Sequence, residues 1–135
     1  MRVRSIEELV FTAALLEKTG VLAEGGVAVL SSSGGMGELA AKYSDVWIQS
    51  HVAENKDEIA WVKQLHPGAR SYLSVYDGFG LMRERAIYAH CIHFDDADRA
   101  LMRDTGAAAA ISPTSNLFLG SGFFDYEGAD RVGYR

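Results

Sequence analysis

Apolar residues fall at two different spacings along this chain, and the switch between them predicts its elements. Ile6, Leu9, Val10, Ala13 and Leu16 recur at helical spacing. Ser5-Ile-Glu-Glu8 forms a capping box at their start, and Gly20 ends the segment. Val27-Ala-Val-Leu30 is apolar without alternation, the pattern of a strand covered on both faces. Ser31-Ser-Ser-Gly-Gly35 follows as a turn, then a helix from Met36 to Tyr43. The next pair is a strand over Val46–Ser50 and a helix over Asp57–Leu65, closed by His66-Pro67-Gly68. Residues 69–84 show no clean period; Tyr72–Tyr76 reads as a short helical turn broken by Asp77-Gly78 and Gly80. Arg85–His90 is a third strand, and Asp95 caps a helix running to about Thr105, with Asp98 at the box position and Gly106 as its stop. Ala107–Ile111 is a last short strand, and Ser112-Pro-Thr-Ser-Asn116 reads as a polar loop.

Strand and helix therefore alternate from residue 27 onward, which implies a parallel sheet of about four βα units with right-handed crossovers. A closed eight-stranded barrel takes roughly 250 residues. The 135 residues present can form about half of one. The fold class is α/β, with two arrangements open: a partial (half) TIM barrel, or a flavodoxin-like open sheet.

Composition narrows the setting more than the fold. A single domain over residues 1–135 is expected, and 48% apolar content suffices for a core. The net charge of −5 disfavours nucleic acid and anionic membrane as partners. No run reaches the roughly 20 apolar residues needed to span a bilayer. Met1-Arg-Val-Arg-Ser-Ile-Glu-Glu lacks the apolar core of a signal peptide. One cysteine, Cys91, cannot form an internal disulfide and suits a reducing compartment. A cytoplasmic location is expected.

Two stretches carry candidate chemistry. Ser31–Gly35 turns from a strand into a helix, and the backbone N–H groups at Ser33, Gly34 and Gly35 would suit a phosphate of a nucleotide or CoA. It is neither a full Walker A sequence nor GxGxxG, so a plain tight turn is the competing reading. The second stretch is Trp47-Ile-Gln-Ser-His51-Val-Ala-Glu54. It places a histidine and a carboxylate at the C-terminal end of a strand, where parallel α/β folds keep their chemistry. The pair suits a metal ligand and a proton shuttle, although a strand-end histidine can be purely structural and Glu54 can serve a helix dipole.

His51-Val-Ala-Glu54-Asn, Ala89-His90-Cys91 and Ser112-Pro-Thr-Ser-Asn-Leu-Phe-Leu-Gly-Ser-Gly-Phe123 together resemble the guanine deaminases of the amidohydrolase superfamily. The resemblance spans residues 37–135. It implies a zinc-bound water attacking the amino-bearing carbon of guanine, with release of ammonia and xanthine. It also implies His51 as a zinc ligand, Glu54 as the proton-shuttling carboxylate, and His90 as the histidine that polarises substrate or water. The family's His-x-His pair, its Thr-Asp pair and its Pro-Arg-Phe motif have no counterpart in this sequence. At most one zinc ligand is then present, and the polypeptide by itself is expected not to deaminate guanine. Residues 3–36 instead resemble a segment of the NDP-forming acyl-CoA synthetases, which would make the chain a chimera joined near Met36. Self-association as a homodimer through open sheet edges is a further expectation.

Overall fold

A computed structural model describes Ala28–Leu30 and residues 45–134. The helices expected over residues 6–16 and 36–43, and the Ser31–Gly35 turn with Ser33, Gly34 and Gly35, lie outside the described residues.

The strands are β1 (Ala28–Leu30), β2 (Trp47–Val52), β3 (Ala86–His90) and β4 (Ala108–Ala110). They form one four-stranded parallel sheet in the order β1-β2-β3-β4. Ala28 lies beside Trp47, Ile48 beside Ala86, and Ile87 beside Ala108. Each strand thus pairs with the next in sequence. A doubly wound sheet reverses its strand order at a switch point, whereas a barrel wall never does. The described sheet is an open arc with barrel-type order, and the flavodoxin-like alternative is set aside on that ground.

Helices α1 (Lys56–Leu65), α2 (Tyr72–Gly78), α3 (Asp96–Thr105), α4 (Pro113–Leu119) and α5 (Tyr126–Val132) complete the described part. Asn55 caps α1 by accepting from the Glu58 backbone N–H at 2.8 Å. Ser71 caps α2 in a reciprocal box with Ser74. That box, with Leu73 fully buried, carries α2 through Asp77-Gly78, where the sequence suggested a break. Asp95 caps α3 and Gly106 ends it in the left-handed region at φ 72°. The carboxylate of Asp98 turns to Arg70 and to the Ser71 hydroxyl, the latter at 2.5 Å, so it ties α3 to α2.

Ser112–Asn116 corrects a sequence expectation, because this polar run opens helix α4. Pro113 sits at the first helical position, where its fixed φ fits and its missing N–H costs nothing. Polar side chains hid the helix because the segment is too short to show a period. Helix α5 shows no apolar period either, and it is not among the elements the sequence predicts. Asp125 accepts from Gly128 N–H at 2.9 Å, and Gly133 ends the helix at φ 79°.

The core lies on the outer, helix-covered face of the sheet. Ile48, Val52, Ala86 and Tyr88 pack there with Leu73, Met102, Phe124 and Tyr134. The alternate residues of β2, Trp47, Gln49 and His51, are exposed. Alternation along a strand puts these two sets on opposite faces. The inner face is therefore open in the described arc.

Helix α5 is fastened to α3 through Arg99, which bonds Asp96 at 2.8 Å and Asp125 at 2.6 Å. Gly128 lies directly beneath this pair. A Cβ there would sit 2.3 Å from Asp125 Oδ2 and 2.8 Å from Arg99 Nε. Gly128→Ala is therefore expected to destabilise the fold by about 1–3 kcal/mol, the usual cost of overpacking, despite alanine's better helix propensity. Urea unfolding measures it; a stabilised variant would show that the Arg99–Asp125 pair moves aside freely.

Candidate active site at the strand ends

Three of the sequence-nominated residues meet at the C-terminal ends of β2 and β3. His51 is on the exposed inner face of β2, Glu54 lies in the loop between β2 and α1, and His90 ends β3. Parity alone would send His90 to the core side with Ala86 and Tyr88, since it pairs in register with the buried Val52. Its φ of 73° breaks that alternation. The ring instead stacks on His51, with centroids 5.2 Å apart and planes 29° apart.

Ala53 and Cys91 also adopt positive φ, both at 50°. Left-handed backbone at non-glycine residues costs on the order of 1–3 kcal/mol each and tends to gather at functional sites. Here the three positions sit side by side on adjacent strand ends. Cys91 N–H bonds Val52 O at 3.1 Å, and His93 N–H bonds Ala53 O at 3.2 Å. Those bonds extend the β2–β3 ladder into the loops and hold the strained turns.

The Glu54 carboxylate is bracketed. Its Oε2 lies 3.6 Å from His90 Nε2. Its Oε1 accepts from the Ser121 hydroxyl at 3.3 Å. The Glu54 backbone N–H donates to Glu58 Oε2 at 3.3 Å, and the Tyr72 hydroxyl donates to the other oxygen of Glu58 at 2.9 Å. Burial first, then the neighbouring Tyr76 and Glu58, push the Tyr72 hydroxyl well above its ordinary pKa, so it remains a donor. On the far side of the site, His90 Nδ1 lies 2.7 Å from Oδ1 of the buried Asn116. Tyr76 completes the support. Its hydroxyl donates to the His51 carbonyl at 3.1 Å, which leaves the 2.8 Å contact with Ser50 to be donated by the serine.

Asn116 and Ser121 had no assigned role in the sequence reading. Both sit in the Ser112–Phe123 run that carries the resemblance, but their partners are 26 and 67 residues away in sequence. Only the fold brings them to His90 and Glu54. Cys91, expected to be a small buried residue, is 2% exposed, and burial pushes its thiol up to about 12. It is inert as a nucleophile at neutral pH.

Among the described residues, no three His, Cys, Asp or Glu side chains gather into a metal-holding set. A catalytic zinc takes three protein ligands and keeps an open position. The described residues thus do not make a zinc centre, and His51 is the ligand they could contribute. A recess of about 400 Å³ lies at the opposite end of the sheet, beside Glu84, Met102, Gly106 and Tyr134. Two of its three charged residues, Arg103 and Asp104, pair with each other at 2.7 Å. The strand ends are the stronger site. No described helix is long and apolar enough to cross a membrane.

The chain is similar in sequence and fold to known proteins. Residues 20–133 match the Amidohydrolase family, a stretch that includes β1 and Ser31–Gly35, within the segment likened above to acyl-CoA synthetases. The guanine deaminase of Escherichia coli (strain K12) is 44% identical over 91 residues, covering 67% of this chain and 21% of that protein. That of Dictyostelium discoideum is 50% identical over 78 residues, 58% of this chain and 17% of that protein. Among solved structures, E. coli guanine deaminase superposes with a TM-score of 0.76 at 32% identity, covering 96% of this chain and 32% of that one. Guanine deaminase from C. acetobutylicum, solved with guanine bound in the active site, gives 0.69 at 39% identity, covering 75% of this chain and 24% of that one. The chain spans about a fifth of the length of the curated relatives it matches.

Proposed function

Because the chain belongs to the amidohydrolase family, we propose that it forms one arc of a guanine-deaminase-like barrel, the arc carrying the proton-transfer groups. The reaction is hydrolytic loss of ammonia from guanine to give xanthine. The observation that carries this reading is the convergence of His51, Glu54 and His90 at adjacent strand ends, with Glu54 Oε2 3.6 Å from His90 Nε2. Glu54 takes a proton from the attacking water and delivers it to the departing amino nitrogen, as zinc deaminases require of a non-ligand glutamate. His90 Nε2 lies beside that carboxylate and polarises substrate or water. His51 is the imidazole this arc would offer to the family's zinc. Residues 20–36, which lie inside the family match, need no separate origin in this reading.

A polypeptide of these 135 residues, on the same reading, does not turn guanine over alone. Mixing it with a polypeptide that carries the His-x-His and Thr-Asp strands of a guanine deaminase is expected to restore xanthine formation. A stable mixed complex that binds zinc yet forms no xanthine would sink the assignment.

A second reading is a non-catalytic scaffold that pairs with another copy of itself. Trp47, on the open inner face, is 41% exposed, and Ile111, just past β4, is 40% exposed. β1 and β4 end the described strand order. One native mass spectrum of the chain with zinc separates the two. The deaminase-arc reading expects no tightly held zinc in the chain alone, and the scaffold reading expects a dimer. Stoichiometric zinc held at submicromolar concentration would overturn the incomplete-site view.

A further inference from the structure

We propose that Asn116 is a positioning residue that sets the tautomer of His90, placing the fixed proton on Nδ1 and leaving Nε2 as the bare nitrogen that faces Glu54. The proposal deepens the deaminase reading and rests on it for its consequence, but the tautomer itself is a property of this chain.

The argument starts from what each atom can do. A carbonyl oxygen has no proton to give. A contact of 2.7 Å between Asn116 Oδ1 and His90 Nδ1 is therefore a hydrogen bond only when Nδ1 carries the hydrogen. The opposite tautomer would press the Nδ1 lone pair against Oδ1. His90 is 4% and Asn116 2% exposed, so no water replaces the lost bond. Leaving a buried polar pair unsatisfied is costly enough to leave one tautomer dominant. Nor does the ring escape by turning. The left-handed backbone at His90 and the stack on His51 hold its plane. With Nδ1 committed, Nε2 is the ring atom facing Glu54 Oε2.

Asn116 is itself held by the helix that the sequence disguised. Its N–H donates to Ser112 O at 2.9 Å, and its own carbonyl accepts from Ser121 N–H at 2.9 Å. Gly120, at φ 68°, makes the left-handed turn that returns Ser121 to the site. Ser121 then donates to Glu54 Oε1. One short segment thus occupies the outward atom of each partner, Nδ1 of His90 and Oε1 of Glu54. The atoms left facing each other are Nε2 and Oε2.

A plain space-filling role for Asn116 predicts different behaviour, because any side chain of similar size would then serve. The test is a long-range ¹H–¹⁵N correlation spectrum of the labelled chain, with the four histidines distinguished by single His→Gln variants. His90 is expected to show a protonated-type Nδ1. Asn116→Leu, similar in size but without an acceptor, is expected to shift the ring nitrogens toward the Nε2–H tautomer while distant backbone signals stay put. Asn116→Asp, which keeps an acceptor at the same place, is expected to restore the Nδ1–H signature. A parent spectrum with hydrogen on Nε2 overturns the proposal, and so do ring shifts unchanged in Asn116→Leu. Should that variant fail to fold, the parent spectrum alone decides. In the complemented barrel, Asn116→Leu is expected to lower kcat by roughly 10–100-fold, the usual reach of groups that orient an active-site histidine, with KM little changed. An Nδ1–H signature in a complex that makes no xanthine would leave the tautomer standing and remove the deaminase reading instead.

Discussion

Glu54→Gln is expected to lower turnover of the complemented barrel by about 10²–10⁴-fold, the range for loss of a positioned general acid–base group. The change is nearly isosteric. Glutamine keeps an oxygen able to accept from Ser121 at the Oε1 position, and the backbone bond from residue 54 to Glu58 is untouched. What disappears is a group at Oε2 that can take up and release a proton beside His90 Nε2. Guanine affinity should therefore change far less than kcat, and thermal unfolding should match the parent. Steady-state xanthine formation measures the loss. Turnover within a small factor of the parent would show that another group carries the proton and that Glu54 only braces the loop.

Tyr88→Ala is expected to cost about 3–5 kcal/mol of folding stability, the usual range for deleting a large buried ring. Tyr88 is fully buried in the middle of β3. Its ring lies 5.1 Å from Tyr76, and its hydroxyl donates to the Leu81 carbonyl at 3.0 Å. Burial pushes that hydroxyl far above its ordinary pKa, so it stays a donor. Truncation opens a cavity between the sheet and α2 and strands a carbonyl. Tyr76, freed on one side, also holds the His51 backbone, so the damage reaches the site. Tyr88→Phe isolates the hydroxyl and should cost about 0.5–1.5 kcal/mol. Denaturant midpoints at fixed slope separate the two; a cost for Tyr88→Ala no larger than that of Tyr88→Phe would mean the core collapses around the gap.

The sequence made the β-strands and helices α1 and α3 legible for local reasons. The caps Asn55, Ser71 and Asp125 emerge only with the structure, whereas Asp95 caps α3 and Gly106 ends it, as the sequence suggested. Such signals depend on neighbours a few residues apart. Helix α4 was missed for the converse reason. Its Ser112–Asn116 start is polar and the helix is too short to show an apolar period, while Asn116 serves His90 from within it.

The nominated site shows the same division. His51, Glu54 and His90 stood out because their residue types at strand ends matched a family pattern. Their geometry did not follow from spacing. By simple alternation His90 belongs on the core side, and only its left-handed backbone, held by loop hydrogen bonds between β2 and β3, brings it over His51. The choice between barrel and doubly wound sheet was equally hidden, since strand–helix alternation is common to both and pairing order is a long-range property.

By itself, then, the sequence determined the βα alternation, the caps that bound α3, and the residue types at the strand ends. Those depend on interactions over a few residues of chain. The tertiary structure alone decided the sequential strand order, the turn of His90 onto His51, and the bracket of Asn116 and Ser121 around the Glu54–His90 pair. Each of these needs segments well separated along the chain to meet, from Ala28 with Trp47 to Glu54 with Ser121, and chain folding, not local preference, brings them together.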